Sequence, residues 1–199
     1  MKLPLNCEVE YFNDFLNQEE ATGLYRLMID EYKIHQSIVK MEVAGEIQTI
    51  DLFKMTFVTA DILKMNDGTL RHFYNPQVWS MPFLKVKERI ERLTGRVFDV
   101  GVCIFYRNGN DGVPFHFDPP AFGDTSVIPS LSIGEEREFQ LRENTTQKIH
   151  SVILEHGSLV IMGKGCQAHY QHAIPFDEKY KNGRVNITFR QFGYGNNKN

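Results

Sequence analysis

The chain has 199 residues, of which 42% are hydrophobic and 24% charged, enough for one domain with a sizeable core. Its formal net charge is -3, which argues against a protein that grips nucleic acid through overall positive charge, so any phosphate contacts must be local. Three scattered cysteines, Cys7, Cys103 and Cys166, exclude a disulfide scaffold and a cysteine-type zinc site.

The first half of the chain carries two predicted helices. Asn17 and Glu20 have the spacing of a capping box, and apolar residues then recur at helical spacing, which predicts a helix over 18–33. A second helix begins near Pro82, where a missing N–H costs least, and ends at Gly95.

The second half of the chain changes to short apolar runs separated by turn residues. The predicted strands cover 97–106, 113–118, 127–133, 138–142, 149–154, 158–163, 168–172 and 184–191, and earlier alternations at 38–43 and 48–58 suggest a hairpin or meander. Such a series of short strands indicates a sandwich or jelly roll. With helices packed on one outer face of the sheet, the predicted class is α+β, mainly β.

A possible metal site lies in the predicted strand 113–118. Successive side chains of a strand point to opposite faces, so His116 and Asp118 share one face, and Val113, Phe115 and Phe117 form an apolar back. A histidine and an aspartate aimed at one cavity are two of the three ligands of a 2-His-1-carboxylate iron site. Such a tripeptide is often accidental, so the prediction depends on a third ligand.

The residues alone leave the third ligand open. His150 flanks a predicted edge strand, His156 lies in a tight turn, and His169 and His172 face opposite ways if their strand is regular. A lone histidine is more often a structural residue than a ligand.

The strand 184–191 separates polar from apolar side chains completely. Its polar face, Arg184, Asn186, Thr188 and Arg190, is compatible with the solvated side of an edge strand. It is equally compatible with two guanidiniums that line a barrel mouth, where arginine binds planar carboxylates through paired hydrogen bonds. Two such arginines suit a small diacid, and 2-oxoglutarate is the diacid that non-haem iron oxygenases use.

These residues together resemble a known family. The series His116-x-Asp118, His172 and Arg184-x-Asn186-x-Thr188-x-Arg190 is similar to the AlkB family of Fe(II)/2-oxoglutarate dioxygenases. Further segments resemble its nucleic-acid-repair members: Trp79-Ser-Met-Pro82, Tyr106-Arg-Asn-Gly109, Pro129 to Gly134, Arg137 to Arg142 and His156 to Leu159. The likeness extends over about residues 72–192.

The resemblance implies an organisation and a cofactor set. It implies a single AlkB-like dioxygenase domain over 1–199, with an N-terminal extension and possible substrate lid at 1–80. The catalytic core at 97–191 would be a double-stranded β-helix, or jelly roll. The implied cofactors are Fe(II), 2-oxoglutarate as cosubstrate, and O2.

The resemblance also assigns site residues, position by position. The implied iron ligands are His116, Asp118 and His172. The implied partners of 2-oxoglutarate are Arg184 and Arg190 for its carboxylates, with Asn186 and Tyr106 as further polar contacts. The candidates for substrate contact are Phe73, Tyr74, Arg137 and Arg142. The sequence is also compatible with aromatics that pack in the core and with arginines on a solvated strand face.

The implied activity is oxidative demethylation of alkylated bases in DNA or RNA. The expected partner is alkylated nucleic acid, single-stranded or with the base flipped out. With no signal peptide and no apolar run of membrane length, we expect no membrane partner. A monomer in the cytoplasm, or in the nucleus of a eukaryote, is the remaining expectation.

Two departures from the family pattern put the substrate in question. Ile104 stands where the repair members usually have an asparagine, so one cosubstrate contact is missing or supplied elsewhere. Asp118 is followed by Pro119-Pro120-Ala121-Phe122, where those members commonly have an acidic base reader. The alternatives are an AlkB-like hydroxylase or demethylase acting on protein or a small molecule, and a non-catalytic jelly-roll module that binds metal.

Overall fold

The structure is a computed structural model, and it describes residues 1–43, 46–65 and 73–193. Its strands are β1 Val9–Phe12, β2 Ile38–Val43, β3 Glu46–Val58, β4 Pro76–Val78, β5 Val100–Tyr106, β6 Val113–His116, β7 Ile128–Gly134, β8 Arg137–Glu143, β9 Ile149–Leu154, β10 Leu159–Met162, β11 Tyr170–Ile174 and β12 Arg184–Arg190. Its helices are α1 Gln18–Arg26, α2 Ala60–Leu63, α3 Met81–Thr94 and α4 Cys166–His169.

The strands form two sheets. The large sheet has the order β1-β10-β7-β12-β5-β3-β2, with β4 added to β3, and the small sheet has the order β6-β11-β8-β9. Apart from the parallel pair β3 and β4, the pairings within both sheets are antiparallel. The predicted jelly roll is therefore confirmed.

Two hydrophobic cores cover the two faces of the large sheet. On the outer face, Leu24 of α1 and Phe83 of α3 pack with Ile187 of β12. On the inner face, residues of the large sheet such as Ile128 pack against residues of the small sheet such as Leu141. The two longer helices, α1 and α3, therefore lie on one outer side, as predicted, and the inner space lies between the sheets. The short helices differ, because Cys166 of α4 belongs to the inner core and Ile62 of α2 to a third, smaller cluster.

The helix ends follow from local sequence. The Asn17 side chain accepts a hydrogen bond from the Glu20 N–H at 2.9 Å, and the Glu20 carboxylate accepts one from the Asn17 N–H at 3.0 Å, so the capping box is formed. The first helix is shorter than the predicted 18–33, because α1 passes into a π-helical turn at Leu27–Glu31. Gly95, at φ 66°, ends α3 in the left-handed conformation that glycine adopts without strain.

The strand around the predicted metal site departs from regular alternation. β6 ends at His116, and its pairing with β11 shifts register between His116 and Val113. Because of this bulge, Val113 lines the same cavity as His116. Phe117 lies beyond the strand and is 55% exposed. The predicted apolar back of Val113, Phe115 and Phe117 is therefore wrong.

Within the described part of the chain, none of the helices has the length and apolar character that a membrane span requires.

Candidate active site

The polar face of β12 points into the space between the sheets. Val185 and Ile187 belong to the core on the helix side of the large sheet, so Arg184, Asn186 and Arg190 point to the opposite face. These three residues are buried, with 1%, 9% and 9% exposure. The alternative of a solvated edge strand is therefore wrong, since β12 lies in the middle of the sheet between β7 and β5.

The space between the sheets contains a cavity of about 580 Å³. The residues that line it include His116, Asp118, His172, Tyr106, Arg184, Asn186, Thr188, Arg190, Tyr74, Lys54, Ile104, Pro119, Ala121, Phe122 and Met162. The polar side chains predicted for iron and cosubstrate thus share one cavity.

Three potential metal ligands converge in this cavity. One ligand atom from each of His116, Asp118 and His172 lies within 4.8 Å of the others. The antiparallel register of β6 and β11 sets His116 opposite His172, with ring centroids 4.3 Å apart. Oδ2 of Asp118 lies 3.6 Å from Nε2 of His172. Two imidazoles and one carboxylate form the donor set of an iron site with open positions.

The competing histidines lie elsewhere. The ring of His156 accepts a hydrogen bond from the Gly134 N–H at 2.9 Å and contacts the Thr22 hydroxyl at 3.2 Å, which gives it a structural role. His150 is on β9 and His169 ends α4, and neither belongs to the converging group.

Asp118 is held in place from two sides. Arg190 donates from Nη2 to Oδ1 of Asp118 at 2.6 Å, and the Asp118 N–H donates to Oε1 of Gln167 at 2.8 Å. Burial raises the pKa of Asp118, but the charges of Arg190 and His172 outweigh it, so the pKa is lowered overall. The carboxylate therefore stays ionised, as a metal ligand must.

The two histidines are suited to present neutral nitrogen atoms. Nδ1 of His116 lies 2.8 Å from the carbonyl oxygen of Pro114, a contact that assigns the proton to Nδ1 and leaves Nε2 free to bind a metal. Burial lowers the pKa of His172 to about 4, although the charge of Asp118 opposes this shift. The His172 ring can thus donate a lone pair at neutral pH.

A second polar group surrounds Arg184. Its Nη2 donates to the Ser132 hydroxyl at 2.8 Å, and its guanidinium lies 5.1 Å from the ring centroid of Tyr106. Asn186 donates to the Ser130 hydroxyl at 2.6 Å. Burial lowers the pKa of Arg184 to about 10. Sequence reasoning missed the two serines because they lie in the apolar strand β7.

Buried polar atoms without partners show what this cavity fits. Among the described residues, Oδ2 of Asp118, Nδ1 of His172, Nε and Nη1 of Arg184, and Nε of Arg190 are buried and have no hydrogen-bond partner. Such atoms cost free energy unless they bind something. The free carboxylate oxygen suits a cation, and the guanidinium N–H groups suit a carboxylate.

Arg137 does not reach the cavity, which corrects its prediction as a substrate contact. The side chain is 0% exposed, and its guanidinium donates to the carbonyl oxygens of Asn108, Asp111 and Pro175. Pairing of β8 with β9 and β11 turns this residue inward, so it joins loops to the sheet.

Two other predicted substrate contacts lie outside the cavity. Arg142 donates to Oε1 of Gln171 at 2.5 Å, and its Cζ lies 4.0 Å from the ring centroid of Phe115. It is not among the residues that line the cavity. Phe73 is 7% exposed, and its ring stacks on that of Phe122 with the ring centroids 5.3 Å apart. A buried ring that supports Phe122 is not free to stack on a base, so the structure favours a core role for Phe73.

Tyr74 does line the cavity, together with a residue that sequence reasoning missed. Lys54 of β3 lies with its Nζ 4.4 Å from the ring centroid of Tyr74. In the sheet, Lys54 pairs with Ile104, which pairs with Asn186. Because residues directly opposite each other share a face, Lys54 lies on the same face of the sheet as Asn186. A lysine inside an apolar strand was the available sequence signal.

Comparison with known proteins agrees with this geometry. The family described as the 2OG-Fe(II) oxygenase superfamily matches residues 8–190. Alpha-ketoglutarate-dependent dioxygenase alkB homolog 3 of Homo sapiens is 36% identical over 126 residues, which are 58% of this chain and 44% of that protein. DNA oxidative demethylase ALKBH2 of Bos taurus is 25% identical over 199 residues, which are 94% of this chain and 69% of that protein.

The fold also has a solved counterpart. The structure of OsALKBH1 superimposes with a TM-score of 0.64 and 17% sequence identity, covering 95% of this chain and all of that chain. The chain spans less than half the length of the alkB homolog 3 proteins that it matches.

Proposed function

Because the chain belongs to the 2OG-Fe(II) oxygenase superfamily and, within it, to the AlkB family, we propose that it removes alkyl groups from nucleobases in DNA or RNA by oxidation. The observation that carries this proposal is the cavity itself. It combines a converging His-Asp-His group with two buried guanidiniums that have free N–H groups.

His116, Asp118 and His172 would hold the iron. Two neutral imidazoles and one carboxylate suit Fe(II) and leave positions for other ligands. Gln167 and Arg190 fix the backbone and one oxygen of Asp118, so the other oxygen is oriented in advance. When bound with 2-oxoglutarate and O2, iron supplies the oxidising power that hydroxylates an N-alkyl carbon, which is then lost as an aldehyde.

Arg184 and Arg190 would bind the carboxylates of 2-oxoglutarate. Arg184 lies between Ser132 and the ring of Tyr106, which hold its planar group in one orientation. The N–H groups at Nε and Nη1 of Arg184 have no partner and can donate hydrogen bonds to a carboxylate. Asn186 and Tyr106 would add polar contacts from the same sheet face.

Aromatic side chains at the cavity would hold the base. Tyr74 and Phe122 line the cavity, and Phe73 supports Phe122 from beneath. A flipped or single-stranded base gains free energy by stacking on such rings. The segment that could cover the base, the predicted lid, includes residues 66–72, which lie outside the described residues.

A neighbouring cavity would accommodate the nucleic-acid strand next to the bound base. It has a volume of about 600 Å³ and shares Lys54 and Tyr74 with the candidate active site. Lys33 and Lys40 also line it, and the described residues of its lining include no carboxylate. Such a local basic surface can bind phosphates despite the net charge of -3.

Relatives support this choice of substrate. The name DNA oxidative demethylase belongs to ALKBH2 proteins that align with 94% of this chain. Since the alignment with the alkB homolog 3 proteins includes less than half of their length, the complete activity remains part of the proposal. A monomer in the cytoplasm or nucleus remains a prediction as well.

The test is anaerobic reconstitution with Fe(II) and 2-oxoglutarate, followed by O2 and a methylated single-stranded oligonucleotide. We expect succinate together with loss of the methyl group from the base. His116→Ala should abolish both signals, whereas His150→Ala, outside the ligand group, should retain them. Absence of succinate from protein with bound iron would overturn the proposal and favour the non-catalytic module.

A second candidate is an AlkB-like hydroxylase or demethylase acting on protein or a small molecule. It is favoured by Pro119 and Ala121, which line the cavity where an acidic base reader would otherwise lie. Succinate formation without any change in the base would support this second candidate.

A further inference from the structure

Lys54 is a cation to which the proposed iron and 2-oxoglutarate contacts assign no role. Its side chain lies where the candidate active site meets the neighbouring cavity, and it lines both. Its Nζ lies 4.4 Å from the ring centroid of Tyr74, one of the two rings proposed to hold the base. Among the described residues, no carboxylate forms an ion pair with this ammonium group.

The cavity as a whole is positively charged. Its described lining contains three cations, Lys54, Arg184 and Arg190, and one carboxylate, Asp118. That carboxylate already pairs with Arg190 and belongs to the proposed metal site. Because Fe(II) and the 2-oxoglutarate dianion carry opposite and equal charges, their binding leaves the positive excess in place.

The pKa of Lys54 is consistent with the same excess of positive charge. Burial lowers the pKa of its ammonium group, the charge of Arg190 lowers it further, and Asp118 opposes this only in part. A second cation next to Tyr74 would meet the same poorly solvated, positive surroundings. Like charges repel strongly where water is scarce.

Alkylated bases differ in charge. At neutral pH, 1-methyladenine and 3-methylcytosine are cations, whereas 3-methylthymine and 1-methylguanine are neutral and carry a carbonyl oxygen where the cationic bases carry an exocyclic amino group. An ammonium group donates hydrogen bonds to carbonyl oxygens but repels a cationic ring. The loop from Pro119 to Phe122 has no acidic residue that could compensate a cationic base.

We propose that Lys54 makes this site selective for neutral, carbonyl-bearing alkylated bases over cationic ones. This inference rests on the proposed function, because it names the substrate class of the same cavity. Lys54 acts as a specificity-determining residue beside the base, and the residues that hold iron and 2-oxoglutarate are the same for both classes of base.

The test compares two single-stranded oligonucleotides that differ only in one base, 3-methylthymine or 1-methyladenine. Binding is measured with protein loaded with Mn(II) and 2-oxoglutarate in the absence of O2, so that no turnover is needed. We expect the 3-methylthymine strand to bind at least about tenfold more tightly, the effect of one modest charge interaction. Lys54→Gln should reduce this ratio by about tenfold, and Lys54→Arg should retain it.

Controls separate selectivity from general effects. Lys40→Gln, in the neighbouring cavity, should weaken binding of both strands equally and leave the ratio unchanged. Lys54→Met gives a second neutral variant in case Lys54→Gln does not fold. The affinity for 2-oxoglutarate is measured for each variant.

Specific outcomes overturn the inference. It fails if wild-type protein binds the 1-methyladenine strand equally well or better, or if Lys54→Gln leaves the ratio unchanged. It also fails if Lys54→Gln weakens both strands equally and weakens 2-oxoglutarate, because Lys54 would then serve the cosubstrate.

The proposed function has its own separate outcome. If the Lys54-dependent ratio is observed but neither base is oxidised under turnover conditions, the inference stands and the proposed function fails. If both bases are oxidised with equal efficiency by wild type and Lys54→Gln, the proposed function stands and the inference fails.

Discussion

Arg190 binds one carboxylate oxygen of Asp118, and the other carboxylate oxygen faces His172. Its Nη2 lies 2.6 Å from Oδ1 of Asp118, while Oδ2 lies 3.6 Å from Nε2 of His172. All three residues are buried, with at most 9% exposure. One arginine can therefore orient a metal ligand and, through its free Nε, also contact a carboxylate of the cosubstrate.

Arg190→Met should weaken metal binding without removing a metal ligand. Without its ion pair, Asp118 can rotate and is a poorer ligand, and loss of such outer contacts typically costs about 10–100-fold in metal affinity. Titration with Mn(II) under anaerobic conditions measures the effect. Arg190→Lys retains the charge but not the planar fork, so we expect a smaller loss. Unchanged affinity in Arg190→Met would contradict the role given to this ion pair.

Arg184→Met should weaken 2-oxoglutarate binding and leave metal binding intact. Hydrogen bonds to a charged partner contribute about 1.5–3 kcal/mol each, so we expect about a 10–100-fold rise in the dissociation constant. Calorimetry with Mn(II)-loaded protein measures it. Arg142→Met is the matched control, because this arginine lies outside the cavity. Equal effects of the two substitutions would exclude a specific role for Arg184.

Arg137→Met should affect folding and not the site. The substitution removes donors from three carbonyl oxygens that a fully buried guanidinium satisfies, and we expect a loss of about 2–5 kcal/mol in the free energy of unfolding. Denaturant titration measures this loss. The folded variant should bind Mn(II) and a methylated oligonucleotide like wild type. Selective loss of oligonucleotide binding would restore the substrate role that the structure argues against.

Removing charge from the neighbouring cavity should reduce the salt dependence of strand binding. For Lys33→Gln combined with Lys40→Gln, the slope of log affinity against log salt should become shallower by about 0.7 per lysine. Fluorescence anisotropy with an unmodified single strand measures this slope. Lys148→Gln combined with Lys181→Gln removes the same charge from exposed positions outside both cavities. If the control pair changes the slope as much, the binding surface lies elsewhere.

Local patterns predicted most of the elements. The capping box of α1, the glycine stop of α3 and the alternation of β12 each depend on residues close together in sequence, and the structure confirms all three. The predicted family is confirmed as well. It could be predicted because several spaced motifs in one order are more specific than any one of them.

Long-range pairing decided what local patterns left open. The choice of His172 over three other histidines depends on the register of β6 against β11. The inward position of Arg137 depends on the loops around Asn108 and Asp111, and the position of Lys54 in the cavity depends on the pairing of β3 with β5.

The sequence by itself determined the class of fold, the strands that carry the polar residues, and the chemistry that those residues suggest. Only the tertiary structure decided which charged side chains face the cavity, which are structural, and that the lining has an excess of positive charge. The physical reason is that periodicity assigns a side chain to a face of its own strand. Whether that face meets solvent, a core or a cavity depends on partners distant in sequence.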